Sequence, residues 1–425
     1  MSQAGKMRRR PRAGSPELAL YGGTPVRSEP LPVMHPGGSA IGEEEIRAVT
    51  AVLRSQSLYR FYGPDFKDVT GAFEADLARY EGRRHALGLT SGTAALHTAL
   101  VALGVGPGDE VILPTYAWVA CPDAVVAAGG TPVLADIDDS MTIDPRDVQR
   151  RITKRTKAIM AVHARGVPCD LGTLRRIANR ESVPLIEDVA QGAGATYKGR
   201  KLGSYGEVGT FSFQLNKMIT AGEGGALVTD DRRTYERCVM FHDIGTPYRQ
   251  FSGQGVKFEI EPFPGVNYRM NELTAAILRE QLKKMDGVVR EIRKRNARVR
   301  RGIEDIKAIK FRRSNDEHGE SGISLVFFVE SRAKARLFKD ALVAENIRTT
   351  SGGYPTVVYD PRVTDGHTFM HWGHIIKDMK KNIREHAKSL DLMTRAVHLD
   401  ISPLLTDADV DDVVEAVRKV SAAVL

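Results

Sequence analysis

Cysteine, tryptophan and long apolar runs are what this sequence has least of. Its three cysteines, Cys121, Cys169 and Cys238, lie far apart and form no CxxC pair, so neither a disulfide framework nor a structural zinc site is expected. No apolar stretch approaches the ~18 residues of a membrane span. The opening MSQAGKMRRRPRAGSPE has the positive charge of a secretory leader but no apolar segment behind it. These absences predict a cytoplasmic protein with no membrane and no metal among its partners. What remains is ordinary globular chain: 425 residues, 42% hydrophobic and 27% charged, long enough for two or three domains around a sizeable core.

Basic residues outnumber acidic ones, 61 to 53, giving a net charge of +8, and their placement decides how to read that excess. Lys6, Arg8, Arg9, Arg10 and Arg12 sit in a tail with no acid before Glu17. A second basic stretch covers 290–301 and reads REIRKRNARVRR. A nucleic-acid-binding or regulatory protein is one reading, testable by salt-sensitive binding to duplex DNA. Within the second stretch, however, Ile292, Val299 and Ile303 recur near helical spacing, as on a long helix with one solvated face. No zinc-finger or RNA-recognition signature accompanies either stretch, so no nucleic-acid partner is expected.

Residues 1–16 are polar, basic and aperiodic, and read as a disordered tail. From about 40 to 285, short apolar runs at 86–90, 110–116, 131–137, 157–163, 184–189, 210–214 and 226–229 alternate with helical patterns at 93–103, 119–128, 145–152 and 171–179. That alternation predicts an α/β domain over 17–285 with a seven-stranded, mostly parallel sheet. A long helix over 271–304 follows. Residues 286–425 complete it and form a smaller C-terminal α+β domain: a strand at 323–329, a helix at 332–345, a Gly/Pro-rich loop at 351–355 and a last helix at 407–424. The polar segment 312–321 reads as a surface loop.

In open parallel sheets ligands bind beyond the C-terminal strand ends, so the chemistry is sought there. After the first run, Thr90-Ser91-Gly92-Thr93-Ala94 places small residues at a helix start, where open amides and the helix dipole suit an anion such as phosphate, although a plain capped helix would read the same. Trp118, after the second run, could stack on a flat ring or serve the core. Glu187-Asp188-Val189-Ala190-Gln191 ends the fifth run; an acid there must pair with something positive, either a cofactor ring nitrogen or a structural partner. After the sixth, Ser212-Phe213-Gln214-Leu215-Asn216-Lys217 leads into Gly222-Glu223-Gly224-Gly225. Lys217 has no charged neighbour between Glu207 and Glu223. Such a lysine, when desolvated, has a lowered pKa and a free amine for Schiff-base chemistry; an exposed loop lysine is the alternative. An anion cradle, a stacking wall, a carboxylate and an amine together are what pyridoxal phosphate requires.

At these residues the chain resembles the sugar aminotransferases of the fold-type I pyridoxal-phosphate class, which act on keto sugars and cyclitols in antibiotic and surface-polysaccharide pathways. The likeness runs from about Leu18 to the C-terminus. The opening Leu18-Ala19-Leu20-Tyr21-Gly22-Gly23-Thr24-Pro25-Val26-Arg27 is closest to the inosose and aminohydroxybenzoate branches. The resemblance implies an aspartate-aminotransferase-like fold and the following roles. Lys217 holds the cofactor and shuttles the proton, and Asp188 pairs with the pyridinium nitrogen. Gln191 approaches the phenolic oxygen, Trp118 stacks on the ring, and Gly92, Thr93 and Ser212 hold the phosphate. Asn267 or Arg269 of a second subunit reaches the same phosphate, making a homodimer with shared active sites. Glutamate or glutamine would donate the amine, by a ping-pong course, to a keto sugar or cyclitol that could carry a nucleotide. A lyase or aromatizing enzyme of the aminohydroxybenzoate kind is the alternative on the same fold. Relatives with histidine at position 217 remove a hydroxyl instead, so the lysine favours transamination.

Other constellations are weaker. His367, His371 and His374 follow i, i+4, i+7 spacing with no acid close by, and no metal is expected there. The glycine-lysine stretch 194–201 lacks the Gly-Lys-Ser/Thr ending of a phosphate loop. His163 reads as a core histidine or a pocket residue, and Arg348, Tyr354 and His398 as substrate contacts.

Overall fold

Seven short segments with apolar cores pair into one sheet: β1 (His85–Leu89), β2 (Glu110–Pro114), β3 (Thr131–Ala135), β4 (Thr156–Val162), β5 (Leu185–Asp188), β6 (Val208–Ser212) and β7 (Gly225–Thr229). The structure, a computed structural model, describes residues 17–245, 258–351 and 385–425. The strand order is β1-β7-β6-β5-β4-β2-β3. Only β7 runs against the rest, antiparallel to both β6 and β1. The chain moves outward from β2 to β3 and returns on the other side of β2 as β4. A crevice therefore opens between β2 and β4 at their C-terminal ends, where ligands collect in such sheets. Every residue of β2 and β7 is buried, as strands covered on both faces should be.

The helices cover both faces. In chain order they are α1 (Glu43–Ser55), α2 (Val69–Glu81), α3 (Gly92–Ala102), α4 (Ala120–Ala127), α5 (Pro145–Arg151), α6 (Leu171–Glu181) and α7 (Arg232–His242). Helix α3 is apolar nearly all round and packs between the sheet, α4 and α7. Helix α8 (Glu272–Ile303) starts on the Asn271 side chain, which accepts from the Thr274 amide at 2.9 Å. It runs unbroken through position 285, burying Leu278, Leu282, Met285, Val289, Ile292, Val299 and Ile303 along one face. Its basic residues are largely tied down. Arg298 pairs with Asp407 and Asp411, Arg293 donates to the carbonyls of Gly319 and Glu320, and Arg295 donates to that of Leu405.

The C-terminal part is built on a four-stranded antiparallel sheet, β8 (Lys310–Phe311), β9 (Ser324–Phe328), β10 (Thr349–Ser351) and β11 (Ala396–Asp400), in the order β8-β9-β11-β10. Helices α9 (Arg332–Ala344) and α11 (Asp407–Val424) cover its outer face, and α10 (Ala387–Arg395) leads into β11. Leu325 and Phe327 point outward into the core shared with Phe338 and Val417, whereas Val326 and Phe328 join a second core with Tyr116, Val162 and Ala164 of the large sheet. The small sheet thus presents the row of Val326 to the C-terminal end of β4.

Two expectations need correction or a boundary. The segment 312–321 is not wholly a surface loop: Arg312 is 7% exposed and Ser321 fully buried. The stretch 194–201 folds as a two-stranded turn, Thr196–Tyr197 against Arg200–Lys201, rather than a phosphate loop. Residues 1–16, Tyr354, His367, His371 and His374 lie outside the described residues.

The opening motif has a structural use. The Glu345 carboxylate, at the end of α9, accepts from the amides of Ala19 (3.0 Å) and Val26 (2.9 Å) and from Lys419 (2.9 Å). Arg27 pairs with Asp409 and Asp412. Residues 19–27 therefore strap the start of the chain onto the small sheet's helices, away from the strand ends of the large one.

Candidate active site

Short turns after β2, β5 and β6, together with the start of α3, bring side chains into one cavity of about 320 Å³ at the C-terminal edge of the sheet. Gly92, Thr93, Trp118, Asp188, Gln191, Ser212 and Lys217 all line it. Seven of the nine residues read from the sequence are thereby brought together. Asn267 and Arg269 are not among the residues lining this cavity. Arg269 pairs with the fully buried Asp243 at 2.6 Å, and its amide donates to Asn267 Oδ1.

The α3 end of the cavity is shaped for an anion. Ser91 caps the helix by accepting from the Ala94 amide at 3.1 Å, which leaves the amides of Gly92 and Thr93 without a bond among the described residues. A Cβ on Gly92 would stand 2.7 Å from the Ser212 Cβ, so only glycine lets the Ser212 hydroxyl approach the helix start. Gly225 is equally constrained, its Cβ position being 2.1 Å from the Ser91 carbonyl oxygen.

Asp188 is 5% exposed at the end of β5, and both its oxygens are engaged. The Ala190 amide donates to Oδ1 at 2.9 Å, and the Cys121 thiol donates to Oδ2 at 3.1 Å. Burial, together with the Asp188 carboxylate, pushes the Cys121 thiol's pKa well above its ordinary value, so it remains a donor. A carboxylate anchored this way has a fixed direction and a lone pair to spare for a cationic ring N–H.

Lys217 follows β6, and no side-chain bond holds its amine among the described residues. Burial lowers its pKa, the nearby Asp188 and Cys121 work against that, and Arg165 adds to it. The sequence expectation of a lowered lysine pKa therefore has its expected physical cause. Gln191 is held by its Oε1, which accepts from the Arg165 amide at 2.7 Å, leaving the side-chain NH₂ as donor.

His163 settles as a core residue. It is 0% exposed; the Cys169 amide donates to its Nδ1 at 3.1 Å and its Nε2 donates to Glu187 at 3.1 Å. Glu187 belongs with it, facing away from the cavity that Asp188 lines. His398 is buried in β11 beside Tyr116, with ring centroids 6.2 Å apart, and Arg348 is exposed at the start of β10, so neither lines the cavity. Sequence reasoning missed Cys121, Thr210, Gln214 and Glu223, which also line it. Cys121 follows Trp118 by three residues, within reach of the strand-end rule that found Trp118.

The donor set suits pyridoxal phosphate: open amides and a hydroxyl at one end, a carboxylate at the other, an aromatic wall and a desolvated amine between them. The comparisons agree. The family model described as the DegT/DnrJ/EryC1/StrS aminotransferase family matches residues 39–418. An L-glutamine:2-deoxy-scyllo-inosose aminotransferase of Streptoalloteichus tenebrarius is 40% identical over 290 residues, 66% of this chain and 66% of that relative, just under two thirds of each. The crystal structure of 3-amino-5-hydroxybenzoic acid (AHBA) synthase superposes with a TM-score of 0.79 at 26% identity, covering 92% of this chain and 99% of that one. NtdA from Bacillus subtilis, solved with bound cofactor PMP, superposes with a TM-score of 0.75 at 26% identity over 93% of this chain and 86% of its own. The family works with pyridoxal phosphate. No described helix is long and apolar enough to cross a membrane. With its fold, its cavity and nearly its whole length accounted for in this way, the chain belongs to the DegT/DnrJ/EryC1/StrS aminotransferase family.

Proposed function

We propose that this protein transfers an amino group from glutamine or glutamate to a keto cyclitol or keto sugar, in the cytoplasm, as part of natural-product or polysaccharide synthesis. The observation that carries this reading is Lys217, a desolvated amine in one cavity with the anchored carboxylate of Asp188 and the open amides of α3. The inosose aminotransferase relative supports a cyclitol acceptor and a glutamine donor.

Pyridoxal phosphate, when bound, supplies an aldehyde that takes up an amine and a ring that withdraws electrons from the carbon bearing it. The chain does the rest. Gly92, Thr93 and Ser212 hold the phosphate. Asp188 keeps the ring nitrogen protonated, its own direction set by Ala190 and Cys121. Trp118 walls one face of the ring, and the Gln191 NH₂ reaches the phenolic oxygen. Lys217, once displaced by the donor, takes a proton from the substrate carbon and returns it one atom away, a task that requires the uncharged amine its burial favours. Two subunits share the work in this proposal, Asn267 and Arg269 of each completing the phosphate site of its partner. The exposed apolar side chains of Ile46, Leu53, Leu58 and Tyr62 support such a contact.

The test is a pair of half-reactions. L-glutamine should convert the cofactor's absorbance to that of its amine form, and a keto cyclitol or keto sugar should restore it while gaining nitrogen by mass. Water loss from a substrate without any amino donor would instead place the protein with the aromatizing enzymes. Gly92→Ala should weaken cofactor retention by about tenfold or more, because its methyl group must push the Ser212 side chain off the phosphate position. Retention on dialysis, followed by absorbance, measures it.

A further inference from the structure

Behind the cavity, where the small sheet meets the end of β4, lies a buried cluster that none of the roles above uses. Arg312 bonds by its amide to the Val326 carbonyl (3.0 Å), and Val326 lies opposite His398 in the β9–β11 register. Arg312, Val326 and His398 thus form one row across three chain segments, and Ser324 opposite Asp400 forms the next row on the same face. Val326 and Phe328 show that this face looks toward Tyr116 and Ala164 of the large sheet.

The row is rich in polar atoms with nothing to bond. Arg312 is 7% exposed, His398 1% and Ser324 2%. His398 Nδ1 and Ser324 Oγ have no hydrogen-bond partner. The Arg312 guanidinium makes a single long bond, 3.5 Å from Nη1 to the Ala164 carbonyl, and no carboxylate among the described residues lies within 4.0 Å of it. The neighbouring Arg165 donates to Asp400 at 2.9 Å and to the Tyr116 hydroxyl at 3.4 Å. Burial and the charges of Arg165 and Arg312 together hold the His398 pKa well below its ordinary value, so the ring is neutral and adds no positive charge. Asp400 answers Arg165; Arg312 has no such answer. A buried guanidinium without a counter-ion costs several kcal/mol unless a ligand supplies the anion. The cluster also adjoins the catalytic cavity: Arg165 sits at φ 55°, an unusual conformation for a non-glycine residue, and its amide is what holds Gln191.

We propose that Arg312, with His398 Nδ1 and the Ser324 hydroxyl, forms a carboxylate-binding subsite at the domain junction, and that it holds the α-carboxylate of the amino donor. A guanidinium binds a carboxylate through two parallel N–H bonds, a geometry an ammonium cannot match, and the hydroxyl and ring nitrogen add donors. A neutral keto cyclitol carries no group for this subsite. The subsite therefore tells donor from acceptor although both pass through one cavity. This inference rests on the aminotransferase reading above.

The test uses Arg312→Met, which keeps the length of the side chain and removes its charge, and His398→Phe as a second variant. With the cofactor-loaded enzyme, Arg312→Met should raise the KM for L-glutamine about 10- to 100-fold, leave the KM for the keto acceptor unchanged, and abolish the preference for L-glutamine over its α-amide. His398→Phe should give a smaller rise of the same kind. Calorimetric titration with glutarate, an unreactive dicarboxylate, should show binding to the wild type and none to Arg312→Met, with uncharged glutaramide binding neither. Arg312→Met should melt no lower than the wild type, since it removes an unanswered buried charge. The inference is overturned if the variant binds glutarate like the wild type, if the acceptor KM moves instead of the donor KM, or if the variant melts several degrees lower with its donor KM intact. A wild type that takes up no amine from glutamine would sink the aminotransferase reading, while the glutarate titration would still decide whether the subsite exists.

Discussion

Lys217→Ala is expected to lose transfer by a factor of at least ~10²–10⁴, the share that one positioned acid–base group typically contributes, and further for the lost attachment of the cofactor. The visible absorbance of the loaded enzyme should go with it. The fold should survive, because no described residue bonds the Lys217 amine. Burial disfavours its charged form, so the native state has a lower affinity for that proton than the unfolded chain, whose lysine titrates near 10.5. The sign follows: this lysine costs native stability below its folded pKa, and the cost fades as pH rises from that value toward 10.5. Alanine at 217 should therefore melt at or above the wild-type temperature near neutral pH, and the two curves should converge in alkali. An alanine variant that keeps the absorbance and turns over donor would remove the lysine from the chemistry.

How much of this was legible in the sequence depends on what each residue answers to. The strands of the large sheet answer to burial on both faces, which writes continuous apolar runs, and all seven were found within a residue or two. Lys217, Asp188 and Gly92 answer to local rules, since each follows a strand end. The small sheet was mostly invisible: β8 is a two-residue strand and β10 a three-residue one, too short for any period, and they exist only because β9 and β11 offer them edges. Arg312 was hidden for a related reason. It stands in a polar segment whose composition reads as surface, and only the pairing with Val326 turns it inward. Glu187 and Asp188, adjacent in one motif, looked like a single signal. Alternation along β5 sends them to opposite faces, one to the cavity and one to the protein interior.

That division makes Glu187→Gln the most damaging single change to the fold that we expect. The carboxylate is 0% exposed and accepts four bonds: from the amides of Gly203 (2.9 Å), Tyr205 (2.6 Å) and Gly206 (2.6 Å), and from His163 Nε2 (3.1 Å). Glutamine has nearly the same shape, but its NH₂ must face at least one of those N–H donors, and no rotation of the amide avoids it. Breaking one partner of a buried, fully bonded charge typically costs ~3–5 kcal/mol. Burial alone would raise the Glu187 pKa, yet His163 and the amides hold it below its ordinary value of 4.5. The stabilisation is therefore complete above the unfolded pKa and is lost as pH falls through the lowered native one. The gap between wild type and Glu187→Gln, measured by denaturant unfolding, should be widest near neutrality and should narrow in acid. Because the turn 203–206 and the end of β5 are tied together by this one carboxylate, the variant should also loosen Asp188 next to it, and cofactor retention should fall at temperatures where the protein is still folded. A glutamine variant as stable as the wild type at pH 7 would mean that the turn is held by contacts other than these four bonds, and Asp188 would then owe its position to Cys121 and Ala190 alone.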